Sequence, residues 1–64
     1  MAIWYFDAEG HPAVYLSDGW VYSKDGKGLY NAQGGHWYDR GKAVFYESGK
    51  WVYSMDGKAT YYRD

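Results

Sequence analysis

Two stretches of this chain, Trp20-Val21-Tyr22-Ser23-Lys24-Asp25-Gly26-Lys27 and Trp51-Val52-Tyr53-Ser54-Met55-Asp56-Gly57-Lys58, are nearly identical. Each places an Asp-Gly pair after a segment rich in β-branched and aromatic residues, which is a strong short-range signal for a β-hairpin. Weaker copies of the same pattern begin at Trp4-Tyr5-Phe6 and at His36-Trp37-Tyr38. The chain is therefore predicted to consist of four diverged hairpin units.

The glycines at the predicted hairpin tips set the period of this repeat. They are Gly10, Gly26, Gly41 and Gly57, at spacings of 16, 15 and 16 residues. The units cover the chain as one domain, in segments of about 3-18, 19-34, 35-49 and 50-64. No segment shows the i, i+3, i+4 apolar spacing of a helix, so an all-β fold of about eight short strands is expected.

The predicted turns fix the strand partners. A two-residue type I′ turn centred on Asp25-Gly26 sets the pairs of the second hairpin by counting outward. The predicted pairs are Phe6 with Ala13, Tyr5 with Val14 and Trp4 with Tyr15, then Tyr22 with Leu29, Val21 with Tyr30 and Trp20 with Asn31, and finally Tyr53 with Thr60, Val52 with Tyr61 and Trp51 with Tyr62. The third unit lacks one residue near Arg40, so its turn must be tighter or bulged. Tight connections between units are expected at Asp18-Gly19, Gly34-Gly35 and Gly49-Lys50.

Strand alternation divides the side chains between two faces, and both faces are aromatic. One face carries Trp4, Trp20, His36 and Trp51, and the other carries Tyr5, Val21, Trp37 and Val52. The terminal units are as aromatic as the inner ones, whereas an open solenoid needs polar capping units. Closure of four hairpins into a ring would remove the exposed edges. We therefore expect a closed pseudo-fourfold arrangement in which 1–6 pairs with 58–63, within one chain or in an oligomer.

The Trp-Val-Tyr-Ser and Asp-Gly-Lys motifs, repeated along the chain, resemble the bacterial 4-fold beta flower family. Its small domains carry repeated aromatic-x-Tyr…Gly hairpin motifs, and the resemblance implies a shallow, four-petalled, pseudo-symmetric barrel. It implies no activity, because that family has no established function. The same motifs also resemble cell-wall (choline-) binding repeats, whose Trp and Tyr rings cage a quaternary ammonium group. Those repeats are longer, and their Gly-Trp start is kept here only at Gly19-Trp20.

The composition argues against several classes of function. Seven Lys and Arg oppose eight Asp and Glu, interspersed along the chain, so the net charge is -1 and no basic patch for nucleic acid or an anionic membrane is predicted. No apolar stretch approaches the ~20 residues of a membrane-spanning helix. The first residues lack the pattern of a signal peptide, and the localisation is left unknown. Cysteine is absent and aromatic residues make up 23% of the chain, so dense aromatic packing must replace disulfides.

No arrangement of residues predicts catalysis or a cofactor. Asp25 and Asp56 precede turn glycines, where turn chemistry explains them, and Glu9 holds the same place in the first unit. A pair of acids for hydrolysis would instead divide its roles across a cleft. The histidines, His11 and His36, lack the spacing of a zinc site. His11 follows a turn glycine and is expected to be a solvated loop residue.

The candidate binding residues occupy the first position of each unit and the position two residues later. Fourfold placement predicts that the first set gathers around one axis, where ringed aromatics can stack on sugars or hold a cation. The candidate ligand-binding residues are Trp4, Trp20, His36 and Trp51, with Tyr22, Tyr38 and Tyr53. The preferred interpretation is that they are core residues, because so short a chain must use most of its tryptophans for packing.

Two functions follow from these alternatives. The first is a non-enzymatic structural or protein-interaction module, with self-association included. The second is a module that binds a small ligand or a carbohydrate of the cell-wall or choline type through the Trp and Tyr ring. Tryptophans exposed around a concave pocket would favour the second function, and buried, interdigitated tryptophans would favour the first.

Overall fold

The computed structural model describes residues 1–64 as a closed barrel of eight antiparallel strands, each paired with the next in sequence. The strands are β1 (Ile3–Phe6), β2 (Pro12–Ser17), β3 (Trp20–Ser23), β4 (Gly28–Gln33), β5 (His36–Asp39), β6 (Lys42–Ser48), β7 (Trp51–Ser54) and β8 (Ala59–Tyr62). The barrel closes within the chain, because Phe6 of β1 pairs with Tyr62 of β8. It is shallow, measuring 28 × 25 × 16 Å along its principal axes. The expected closed, pseudo-fourfold hairpin barrel is confirmed. No helix is present that could cross a membrane.

Three hairpin tips differ from the predicted two-residue turn. In the second hairpin, the Ser23 N–H donates to the Lys27 carbonyl and the Gly26 N–H to the Ser23 carbonyl, both at 2.8 Å. This is a type I turn followed by Gly26 in the left-handed region, with φ at 93°. The longer loop inserts a bulge, so Tyr22 faces Gly28 rather than Leu29.

A side-chain acceptor at the start of each loop favours this longer turn. The Ser23 hydroxyl accepts the Lys27 N–H at 3.1 Å, and Asp7 and Ser54 accept the N–H four residues later in the same way. The predicted partners of Phe6 and Tyr53 are therefore also wrong by one residue. Beyond the bulges the predicted pairs are confirmed: Tyr5–Val14, Trp4–Tyr15, Val21–Tyr30, Trp20–Asn31, Val52–Tyr61 and Trp51–Tyr62.

The third hairpin has the tighter turn that its deletion predicts. Asp39 pairs with Lys42, and the two residues between them, Arg40 and Gly41, have φ values of 55° and 84°. Positive φ at both central positions is the geometry of a type I′ turn. The three connections between units are two-residue turns, as expected, at Asp18-Gly19, Gly34-Gly35 and Gly49-Lys50.

The deepest layer of the core alternates large and small side chains. It consists of Tyr5, Val21, Trp37 and Val52, each at most 1% exposed. Tyr5 and Trp37 come from opposite sides of the barrel and meet edge to face, with ring centroids 5.2 Å apart and planes at 86°. The valines fill the remaining two positions. Small barrels often alternate large and small residues in this way, because the interior has no room for a full ring of large ones.

A second layer encloses Trp37 in aromatic rings. Its residues are Val14, Tyr30, Phe45 and Tyr61, one from the second strand of each unit. Tyr30 and Tyr61 stack on Trp37 with both centroids 6.1 Å away, at 23° and 28° to its plane. Phe45 meets it edge-on at 5.8 Å. The middle of the barrel is thus a packed core of side chains.

Candidate functional site

The outward face of the barrel carries four rows of three side chains. Each row starts at the first residue of a unit, crosses to its strand partner, and ends on the Tyr or Phe of the following unit. Row 1 is Trp4, Tyr15 and Tyr22; row 2 is Trp20, Asn31 and Tyr38; row 3 is His36, Tyr46 and Tyr53; row 4 is Trp51, Tyr62 and Phe6.

Ring stacking holds three of these rows together. In row 1 the Trp4 and Tyr15 centroids are 4.9 Å apart, and Tyr15 stacks on Tyr22 at 5.2 Å. Rows 3 and 4 repeat this arrangement, with the closest pairs, Tyr46–Tyr53 and Trp51–Tyr62, both at 5.3 Å. Such cross-strand aromatic pairs stabilise an antiparallel sheet by roughly 0.2–1 kcal/mol each. The rows therefore join neighbouring strands on the side away from the core.

The first residues of the units are on the outside, which overturns two predictions. Trp4, Trp20 and Trp51 are 39%, 46% and 43% exposed, and His36 is half-buried, so these residues are not the core. They also do not gather around one axis, because they point outward from β1, β3, β5 and β7. Strand alternation left open which face is inside. The axis is occupied by the face that carries the smaller Val21 and Val52.

The second candidate set lies at the far ends of the same rows. Tyr22, Tyr38 and Tyr53 are half-buried, and Phe6 occupies the equivalent place in row 4. The structure therefore brings each member of the first set into a row with one member of the second. It does not assemble all of them into one site.

Row 2 lacks the middle ring that the other rows have. Asn31 lies between Trp20 and Tyr38, where rows 1, 3 and 4 place a tyrosine. A cleft of about 380 Å³ opens there, lined by Asn31, Gln33, Tyr38 and Gly41. Trp20 is 46% exposed, and its strand partner Asn31 offers no ring to stack on.

A second cleft lies at the seam between β1 and β8. These strands share only the Phe6–Tyr62 pair, whereas other neighbouring strands share three or four. The cleft has a volume of about 350 Å³, and its lining is Ala2, Ile3, Trp4, Phe6, Arg63 and Asp64. Ile3 is 42% exposed, and the cleft is also lined by Trp4 of row 1 and Phe6 of row 4. We call this area the seam face.

Inside the barrel, one carboxylate serves two aromatic side chains. The Tyr5 hydroxyl donates to Glu47 Oε1 at 2.8 Å, and the Trp37 indole N–H donates to Glu47 Oε2 at 3.1 Å. Buried polar groups need such partners, so Glu47 satisfies the two large rings that cross the axis. Burial and the bond to Glu47 together raise the pKa of Tyr5 well above its ordinary value, and Arg63 opposes this shift.

Sequence reasoning missed Glu47, although the repeat contains a signal for it. The position six residues after each tip glycine is Leu16, Ala32, Glu47 and Arg63 in the four units. These residues continue the inward alternation of Val14, Tyr30, Phe45 and Tyr61. Two charged residues at an inward position of the repeat would have indicated a polar contact at one end of the barrel.

The first hairpin tip groups three potential metal ligands. Ligand atoms of Asp7, Glu9 and His11 lie within 4.8 Å of one another. The turn itself accounts for this grouping, since Asp7 Oδ1 accepts the N–H of Glu9 at 2.9 Å and that of His11 at 3.0 Å. The bond from the His11 N–H in particular holds the pKa of Asp7 below its usual range. The His11 side chain is 72% exposed, so its prediction as a solvated loop residue is confirmed.

Comparison with known protein families, with curated proteins and with solved structures finds no match. The resemblances of the hairpin motifs to two families therefore stay predictions.

Proposed function

We infer that this protein is a non-enzymatic interaction module that binds a protein partner through its seam face. The observation that carries this proposal is the exposure of Ile3 and Trp4 beside the seam cleft. Contiguous exposed apolar groups with a polar rim are typical of interaction sites. In the seam face the rim is supplied by Arg63 and Asp64, at the edge of the same cleft.

The residue types of the seam face suit a protein segment as the ligand. Tryptophan is enriched among the residues that dominate protein–protein binding energy, and such residues cluster where water is excluded. Trp4 lines the cleft, and Tyr15 packs against one side of its ring, with centroids 4.9 Å apart. The orientation of Trp4 is therefore fixed before binding, which reduces the entropy lost on association. Arg63 and Asp64 offer opposite charges for polar contacts at the rim.

The acidic side chains support the non-enzymatic part of the proposal. Asp7 and Asp56 accept hydrogen bonds within their own hairpin loops, and Glu47 is occupied by Tyr5 and Trp37. A general acid or base needs reach to a substrate. These carboxylates instead stabilise turns and the core.

The alternative expected from the sequence was a small ligand or sugar held in a ring of the four first residues. Its geometry has no support, because Trp4, Trp20, His36 and Trp51 lie on four different sides of the barrel. A cage for a quaternary ammonium group requires several rings around one point.

Selection of binding peptides from a random library tests the proposal. The indole N–H signal of Trp4 should shift when an enriched peptide binds, while that of buried Trp37 should not. A dilution series without peptide shows whether a second copy of the chain uses the same face.

The control is Trp20→Thr, which removes an exposed tryptophan from the other side of the barrel and should keep peptide binding. The variant Trp4→Thr should weaken it at least about tenfold, as expected for a central aromatic contact. Absence of any seam-face shift with both peptides and concentrated protein would overturn the proposal.

A further inference from the structure

The four rows of the outer face provide an internal comparison that isolates one position. Three rows have a tyrosine in the middle, Tyr15, Tyr46 or Tyr62, and that ring fills the space between its neighbours. Row 2 has Asn31 instead, and the cleft of about 380 Å³ occurs there. The cleft is thus the result of one missing ring in an otherwise repeated arrangement.

Removing the ring also changes the chemistry of the row. Asn31 and Gln33 bring two primary amides to the cleft, and Tyr38 adds a phenol hydroxyl. Neither amide takes part in any of the side-chain hydrogen bonds of the protein. Each amide therefore has both its donor and its acceptor free for a ligand.

We propose that this cleft binds a pyranose unit of a neutral carbohydrate, with Asn31 and Gln33 hydrogen-bonded to its hydroxyls and an aromatic ring of row 2 against its apolar face. No charged side chain lines the cleft, which favours a neutral ligand over a charged one. Sugar hydroxyls both donate and accept hydrogen bonds, and so does each of the two amides. The volume is at the lower end of the range of about 300–1,000 Å³ typical of small-molecule sites.

Trp20 lies beside the residues that line the cleft and offers a second aromatic surface next to it. It is the strand partner of Asn31 and is 46% exposed. Trp4 and Trp51, by contrast, each have a tyrosine ring against them. A half-exposed indole with no ring against it, beside free amides, can stack on the C–H face of a sugar ring. This site lies on β3–β5, away from the seam face, and does not depend on the function proposed above.

Titration of the isotope-labelled protein with cellobiose, maltose and chitobiose tests the inference. At least one sugar should cause saturable shifts of the side-chain amide signals of Asn31 and Gln33 and of the Trp20 indole N–H. The Trp4 and Trp51 indole signals serve as internal references and should stay in place. Titration to about 50 mM sugar covers the weak affinity expected for a site of this size.

Two variants separate this site from nonspecific contact. Asn31→Tyr restores the ring found in the other rows, so it should keep the fold and weaken binding at least about tenfold by filling the cleft. Gln33→Ala removes one exposed amide and should weaken binding several-fold, which gives a second reading if Asn31→Tyr does not fold. Neither change touches the seam face, so peptide binding there should persist. The inference is overturned if no sugar gives saturable shifts, if the shifts fall on Trp4 or Trp51, or if a folded variant binds as the parent does.

Discussion

The inner and outer faces of the barrel are built from the same repeat, but they keep its fourfold symmetry to different degrees. On the outer face, three of the four rows repeat an aromatic stack with closest centroid distances of 4.9 to 5.3 Å. In the deepest core layer the four equivalent positions are Tyr5, Val21, Trp37 and Val52. Only a twofold alternation of large and small survives there.

The difference follows from the space that each face offers. Outward positions of a barrel diverge from one another, so each unit can keep a large ring and stack it on its own neighbours. Inward positions converge on one axis, and interiors are packed too tightly to accept four large groups. Repeated units therefore have to diverge inside the barrel and can remain alike outside.

The largest expected effect comes from removing Trp37, the larger of the two rings that cross the axis. Trp37→Ala should lower the free energy of unfolding by about 3–5 kcal/mol, since a large cavity forms among rings that cannot all collapse into it. Trp20→Ala, the matched change on the outer face, should cost less than about 1 kcal/mol. Urea unfolding followed by circular dichroism measures both. Similar losses for the two variants would show that the inner and outer faces contribute equally to stability.

A smaller loss is expected from removing the carboxylate between the two inner rings. Glu47→Leu leaves the Tyr5 hydroxyl and the Trp37 indole N–H without a partner, which should cost about 2–3 kcal/mol. Adding Tyr5→Phe removes one of these unpaired groups, so the double variant should be more stable than the sum of the single changes predicts. Glu47→Gln, which keeps an acceptor in place, should lose less than Glu47→Leu. Additive losses in the double-mutant cycle would contradict the shared role of Glu47.

The smallest effect is expected from alkaline pH. The pKa of Tyr5 is raised in the folded state by burial and by Glu47, so its contribution is complete below the ordinary value of about 10 and is lost as the pH rises above it. Stability should fall above pH 10, by at most about 1.4 kcal/mol per pH unit for this group. Tyr5→Phe should flatten that slope. Part of the slope should remain, because burial also raises the pKa values of Tyr30 and Tyr61. An unchanged slope would show that Tyr5 ionises equally in both states.

The sequence was sufficient for the number of strands, their order, the closure and most pairings, because these depend on local turn signals and on the repeat. It was insufficient where two possible turns differ in length by one residue. An Asp-Gly pair suits either a two-residue turn or the end of a three-residue loop, and the acceptors on Asp7, Ser23 and Ser54 favour the loop. The sequence also did not show which face of the strands lies inside the barrel. Both faces are aromatic, and only the space available at the axis decides between them.

The candidate site was predictable in its residue types and not in its arrangement. The repeated tryptophans were singled out, but their grouping into one ring assumed that they face the axis. The opening at Asn31 results from the absence of a ring. That absence can be recognised only when the strand pairing shows that the equivalent residue of every other row is a tyrosine. The role of Glu47 was missed because its contact with Tyr5 joins two units and becomes visible only in the closed barrel.

The single residue pair that joins β1 to β8 also bears on how the barrel forms. Seven of its eight strand junctions connect neighbours in sequence, so they can zip up by local steps that cost little loop-closure entropy. The last junction must bring together segments from the two ends of the chain. It contains one residue pair, the fewest of any junction, so it offsets little of the entropy lost on closure. Folding should therefore proceed quickly to a curved, nearly complete sheet. The closing of the ring is then expected as the last step, in which Phe6 pairs with Tyr62.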